Sequence, residues 1–265
     1  MKNFFTFLLG VACVAVLFFG HSYWNERIKA APESTSNVSD NKHKASTTTA
    51  ENAAQDEDVL AYTTNWPTSA IDRFKQTLSK KQPFKILFVG SPAIGSDTAG
   101  TYPTVKEKLL ETFGENNIQV GLKTFKSTST QLIKSNKQDE IAAEEADLII
   151  LEPFILENNA GLVSVVQTLN DISKIMEDIK AKKPETTFML QPSYPVYKGK
   201  FYPNQVAELK KFAEQNQITY LDHWSAWPDT NTEEIKEYLQ PDKNAPSDKG
   251  NQVWSDFILE FLISK

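Results

Sequence analysis

Beyond residue 58 the chain alternates short runs rich in apolar residues, unbroken at Ile86 to Val89, with longer stretches in which apolar side chains recur every three or four residues. The short runs are Ile86 to Val89 ending in Gly90, Ile118 to Phe125, Leu148 to Leu151, Thr187 to Leu190 and Ile218 to Leu221. Their length and composition predict strands buried on both faces, as parallel strands covered by helices are. Between them the helical spacing is plain. Ser69 to Lys80 sets Ile71, Phe74 and Leu78 on one face, and Thr104 to Phe113 does so with Val105, Leu109 and Leu110. Ser129 to Ala146 reads as one helix, and Val163 to Lys183 as a long amphipathic helix stopped by Pro184. Asn204 to Asn216 turns Val206, Leu209 and Phe212 inward, Thr232 to Leu239 opens with a capping-box-like Thr, and Asp248 to Ile263 closes the chain. Strands separated by helices require right-handed crossovers, which predicts a three-layer α/β/α sandwich around a five-stranded parallel sheet of the flavodoxin-like kind.

Before residue 59 the pattern changes twice. Phe4 to Gly20 is apolar apart from Thr6, and Tyr23, Trp24, Arg27 and Lys29 come next, where interfacial residues belong. Residues 1–29 are therefore expected to be a membrane anchor or signal segment, an uncleaved single-pass signal anchor being favoured over a removed signal peptide, with the rest of the chain extracytoplasmic. Residues 30–58 are polar without apolar periodicity and are expected to form a disordered linker. One domain, residues 59–265, remains.

Composition narrows the partners. A net charge of -6 with no basic stripe argues against nucleic acid, which rewards clustered Lys and Arg. The one cysteine, Cys13, lies in the apolar run, so neither an intramolecular disulfide nor a cysteine-based zinc site is expected. No metal cluster and no cofactor motif is evident, and nothing fixes the oligomeric state. Of three histidines, His21 and His43 precede the domain, leaving His223 as its only imidazole.

The candidate chemistry lies in loops at the ends of strands, because ligands of open α/β sheets bind beyond the strands' carboxyl ends. Gly90 to Ser96 offers the hydroxyls of Ser91 and Ser96. A serine nucleophile needs an imidazole base oriented by a carboxylate, which nominates Ser91, His223 and Asp242, with Asp222 as an alternative to Asp242. Glu152, just past the third strand, is a candidate general acid or base. Aromatic and amide groups share the same edge. Glu152, Asn158, Gln191, Tyr194 and Trp224 are the substrate-binding candidates, because rings pack on sugar C–H faces while amides take hydroxyls.

From Phe84 onward the order of features resembles the SGNH/GDSL hydrolase family. Phe88-Val89-Gly90-Ser91-Pro92-Ala93-Ile94-Gly95 is similar to its first block, and Asp242-Lys243-Asn244-Ala245-Pro246-Ser247-Asp248-Lys249-Gly250 to its last. The resemblance implies an SGNH-type sheet and an esterase or acetylesterase acting on acylated cell-envelope glycans. Column by column, however, Ser91 stands at the family's Asp, Pro92 at its nucleophile and Ala245 at its His, and Asp242 alone is kept. The alternative is an SGNH-fold module that has lost the reaction and binds glycan or serves as an envelope scaffold.

Overall fold

The computed structural model describes residues 58–242 and 245–264. The expected anchor, and all of the expected linker except residue 58, lie outside these residues. No helix among the described residues is long and apolar enough to cross a membrane.

The five expected strands are present: β1 (Phe84–Gly90), β2 (Ile118–Thr124), β3 (Leu148–Leu151), β4 (Thr187–Leu190) and β5 (Thr219–Tyr220). They form one parallel sheet in the order β2-β1-β3-β4-β5. Among the described residues, eight α-helices surround it: α1 (Thr68–Ser79), α2 (Thr101–Phe113), α3 (Ser129–Lys134), α4 (Lys137–Ala142), α5 (Ile155–Ala160), α6 (Val165–Lys182), α7 (Tyr202–Gln215) and α8 (Asp248–Leu262).

Strand residues point alternately to the two faces, and where both faces are covered, in β1, β3 and β4, nearly every position is buried, whereas β2 and β5 at the sheet's edges are half-buried. Phe84, Ile86, Phe88, Leu148, Ile150 and Met189 pack on one side with Phe74 of α1, Val105 and Leu109 of α2, and Trp254 and Ile258 of α8. Their neighbours Leu87, Val89, Ile149, Leu151, Phe188 and Leu190 pack on the other side with Leu132, Ile141, Ile172, Ile175, Val206 and Leu209 from α3, α4, α6 and α7.

Three expectations are corrected. The single helix over Ser129 to Ala146 is two helices, broken at Ser135 and at Asn136, whose φ of 52° is left-handed and cannot continue a right-handed helix. The fifth strand is shorter than Ile218 to Leu221, because β4 offers it a register of only two residues. Thr232 caps no helix with its side chain. Its hydroxyl donates to the Asp229 carbonyl, and Glu233–Tyr238 is a 3-10 turn.

The amino ends of the strands are closed by the segment that leads into β1. Trp66 and Phe74 pack on Phe84 and Phe113, and Trp66 Nε1 donates to the Leu262 carbonyl at 2.9 Å. Asp147, almost wholly buried, fastens this end. Its carboxylate accepts from Arg73 Nε of α1 and from the Lys85 backbone N–H, both at 2.8 Å, and pairs with Lys183. Burial alone would raise its pKa, but the bonds from Lys183, Lys85 and Arg73 outweigh burial and hold it below the ordinary 3.8.

Removing one partner of a buried ion pair strands the others, so Asp147→Ala should lower unfolding free energy by about 3 kcal/mol at neutral pH in urea titrations. A depressed folded pKa contributes stability above the ordinary value and loses it as pH falls through the folded value. The gap between wild type and variant should therefore narrow below about pH 4. A gap that stays constant into acid would contradict this assignment.

Candidate functional site

Parallel register brings the strand ends level. Val89 pairs with Leu151, Leu151 with Leu190 and Leu190 with Tyr220. Glu152 N–H then donates to the Val89 carbonyl, Gln191 N–H to Leu151 and Leu221 N–H to Leu190. Gly90, Glu152, Gln191 and His223 thus reach one edge, as the crossover pattern predicts. Three of their side chains, however, turn into the protein.

Glu152 is 0% exposed. Its Oε2 accepts the Ser91 backbone N–H at 2.7 Å, while Oε1 has no hydrogen-bond partner among the described residues. Burial raises its pKa above the ordinary glutamate value, against the opposing bonds from Ser91. Ser91 is also buried, and its hydroxyl accepts from Ala93 N–H at 3.4 Å, capping the 3-10 turn Pro92–Ile94. Ser91, nominated as nucleophile, is therefore joined to Glu152, nominated as a general acid or base, with the serine's backbone N–H making the short bond.

His223 is also 0% exposed, with both ring nitrogens engaged. Trp227 Nε1 donates to Nδ1 at 3.1 Å, so Nδ1 carries no proton, and Nε2 donates to the Pro192 carbonyl at 2.9 Å. The ring stacks on Trp254 at 4.5 Å, and burial pushes its pKa down to about 4. The expected role of His223 as a base for Ser91 is corrected on this geometry: neither nitrogen has a lone pair free for a serine proton. With Nδ1 accepting from Trp227, neither Asp242 nor Asp222 orients the ring. Asp242 is exposed in the turn before α8, and Asp222 pairs with Lys210.

The expected sugar-binding groups are corrected likewise. Asn158 is buried, accepts from Ser129 N–H at 2.8 Å and donates to Ser129 Oγ and Thr168 Oγ1. Gln191 accepts from Trp254 Nε1 at 3.0 Å, Tyr194 is buried, and Trp224 donates to the Ser193 carbonyl and packs edge-on against Tyr202. Asn158, Gln191 and Tyr194 are thus enclosed beneath the loops, while Trp224 stays half-buried with part of its ring covered by Tyr202.

Among the described residues open hollows of similar volume lie beside β1 and β2 near Lys85 and Gly121, beside β4 near Glu185 and Thr187, and above the carboxyl ends of β1 and β2. The last of these, about 450 Å³, is lined by Pro92, Ala93, Gly95, Ser96, Ala99, Gly100, Thr124, Gln240, Ala245, Pro246, Asp248 and Asn251. Pro92 and Ala245, the two columns where the family resemblance places nucleophile and histidine, meet here. A tight hairpin forms one wall: Gly95 and Gly100 pair with φ of 113° and 90°, and a Cβ on Gly95 would lie 2.3 Å from the Ala99 carbonyl oxygen. The opposite wall is held by the Leu239–Pro246 bridge, Gln240 N–H to the Ala245 carbonyl, and Ser247 capping α8. Gly250 lets α8 approach, since a Cβ there would lie 2.2 Å from the Tyr238 carbonyl oxygen. Of the polar lining, only Ser96 stands out in the sequence as chemically interesting. Thr124, Gln240 and Asn251 carry no motif, and the one available signal is that Asp248 lies within the block that resembles the family's last and Asn251 just beyond it.

No family model matches the chain, and no curated protein matches it. Solved structures do. An acetylxylan esterase from Geobacillus stearothermophilus superposes with a TM-score of 0.54 at 17% identity, covering 70% of this chain and 97% of that one. A protein described as a GDSL-like lipase from Parabacteroides merdae gives 0.56 at 16%, covering 69% and 96%. One described as a lipolytic protein of the G-D-S-L family from Desulfitobacterium hafniense gives 0.51 at 19%, covering 67% and 98%. The chain therefore has the SGNH/GDSL hydrolase fold.

A glutamate whose folded pKa is raised loses stability as pH climbs from its unfolded value toward the folded one. The melting temperature of Glu152→Gln should thus gain on wild type as pH rises above about 4.5; an unchanging difference would contradict the buried acid. In nitrogen-15 spectra His223 should stay neutral, protonated at Nε2, at about pH 5.5. An imidazolium at that pH would restore it as a candidate base.

Proposed function

We propose that this chain is a non-hydrolytic SGNH-fold module that binds glycan at the cell envelope. One observation carries the reading: the hollow of the fold presents Pro92 and Ala245 together, where the resemblance places nucleophile and base. Proline has neither a hydroxyl nor a backbone N–H, so this position supplies neither an attacking oxygen nor a donor for a developing oxyanion. Alanine cannot accept a proton. His223 offers no substitute, because its nitrogens are committed to Trp227 and Pro192.

Membrane attachment through residues 4–20, with the domain outside, is part of the proposal and is supported by the apolar pattern there. Residues 59–66 pack around the amino ends of the strands, where Tyr62 meets Phe113 and the Tyr62 carbonyl accepts from Ser264 N–H.

A second reading, an esterase for acylated envelope glycans using Ser91, is favoured by the names of the structures that share the fold. Its first requirement, a free base, has no support in the geometry of His223.

A fluorophosphonate probe separates the two. The full-length chain in detergent micelles should take up no label, hydrolyse 4-nitrophenyl acetate no faster than buffer, and be retained on insoluble envelope polysaccharide. Labelling that disappears in Ser91→Ala would overturn the proposal in favour of the esterase.

A further inference from the structure

Among the described residues the large apolar side chains left exposed are Leu162, Val166 and Phe201, at 92%, 71% and 74%. They are not scattered. α6 and α7 each run from the carboxyl edge of the sheet back to its amino edge, where short turns lead into β4 and β5. Both cover the same face, Ile172, Ile175 and Ile179 beside Val206, Leu209 and Ala213, and they pack on each other. Neighbouring helices that run the same way set their first turns side by side. Val166 is in the first turn of α6, Leu162 in the turn leading into it, and Phe201 is the N-cap residue of α7. The exposed apolar groups thus gather at one corner of the domain, and an apolar patch of this kind marks a contact surface.

Both turns are fixed from beneath. Leu162 N–H donates to the Asn159 carbonyl at 3.4 Å and Val163 N–H to the Asn158 carbonyl at 2.9 Å. These bonds hold Leu162 at a φ of 55°, the left-handed position that a helix end usually gives to glycine. Lys198 N–H donates to the Thr230 carbonyl at 2.9 Å, and Asn204 N–H to the Phe201 carbonyl at 3.1 Å. The charges beside Phe201 are cationic: Lys198 and Lys200 are exposed in the turn before it. Glu233 also faces Lys198, but it is bonded to Tyr197 and paired with Lys236. The first turns themselves, Val165-Val166-Gln167-Thr168 and Tyr202-Pro203-Asn204-Gln205, carry no acid.

We propose that this corner docks on the surface of a phospholipid bilayer, with Leu162, Val166 and Phe201 entering the acyl boundary and the Lys198 and Lys200 ammonium groups on lipid phosphates. Aliphatic and aromatic side chains flanked by lysines suit that boundary, because the stem of a lysine lies along apolar surface while its charge stays among the headgroups. The inference rests on the membrane attachment through residues 4–20 and adds a second contact to it. Fully extended, residues 21–57 would span about 130 Å, so a chain that enters the domain at the amino ends of the strands still lets the opposite edge reach the bilayer. Attachment also holds the domain at high effective concentration near the surface, so a small patch is enough to orient it. A second copy of the chain fits less well, since a stable protein interface takes roughly 20 residues a side.

Spin-label relaxation tests this on the full-length chain, with Cys13→Ser to leave one labelling site, in nanodiscs of phosphatidylglycerol and phosphatidylcholine. Nitroxides are attached at Val166→Cys and, separately, at Lys182→Cys, about 24 Å away at the other end of α6. At residue 166 dissolved oxygen should relax the label more than a water-soluble nickel chelate does, and at residue 182 the order should reverse. Leu162→Asp with Phe201→Asp should return the residue-166 label to the aqueous order, and Lys198→Glu with Lys200→Glu should lessen its exposure to oxygen. Thermal unfolding confirms that each variant is folded. The same order at both labels, or a residue-166 label unmoved by the paired aspartates, would overturn the inference. Shielding of that label from both relaxants would place a second copy of the chain there and overturn it too. A chain that elutes apart from the nanodiscs overturns the membrane attachment instead, whereas a chain that elutes with them while both labels stay aqueous overturns this inference alone.

Discussion

The bond from the Ser91 backbone N–H to the buried Glu152 carboxyl ties the turn after β1 to the end of β3. A carboxyl at 0% exposure must be held by hydrogen bonds or kept protonated, and Oε1 of this one has no partner among the described residues. That demand fixes Ser91 as part of the floor and leaves Pro92, the next residue, exposed at the mouth of the hollow. Two residues whose types suggest catalysis are thereby used to shape a turn. The surface they shape presents proline.

The same economy governs His223. Its ring lies between Trp254 of α8 and Trp227, and a neutral tautomer satisfies both neighbours that bond to it. A histidine buried this way gains packing and two hydrogen bonds while losing the ability to exchange protons near neutrality. Buried polar bonds thus fasten both ends of the sheet, the Asp147 ion network at one and the Glu152 and His223 bonds at the other. The hollow sits beside the second set rather than within it.

Sequence made the sheet readable because Leu148-Ile149-Ile150-Leu151 and its counterparts are apolar on both faces, a pattern that needs two helical layers to cover it. The break at Asn136 was not readable, because hydrophobic spacing runs on across a left-handed residue. Residue types at the strand ends were visible, but their contacts were not. Burial of His223 depends on Trp254, which arrives from a helix at the far end of the chain, and the hollow is assembled from the β1 loop, the end of β2 and the segment before α8. The mismatch at Pro92 and Ala245 was legible; that both face the same hollow was not. Structures at 16% to 19% identity share the architecture, and the groups in the site decide what this copy of it can do.

Restoring the two missing groups tests the central claim most directly. Pro92→Ser combined with Ala245→His should give the full-length chain measurable hydrolysis of 4-nitrophenyl acetate, with wild type and each single variant at the buffer rate. Hydrolysis by wild type equal to that of the double variant would contradict the account, because it would show that a reaction runs in this hollow without either group.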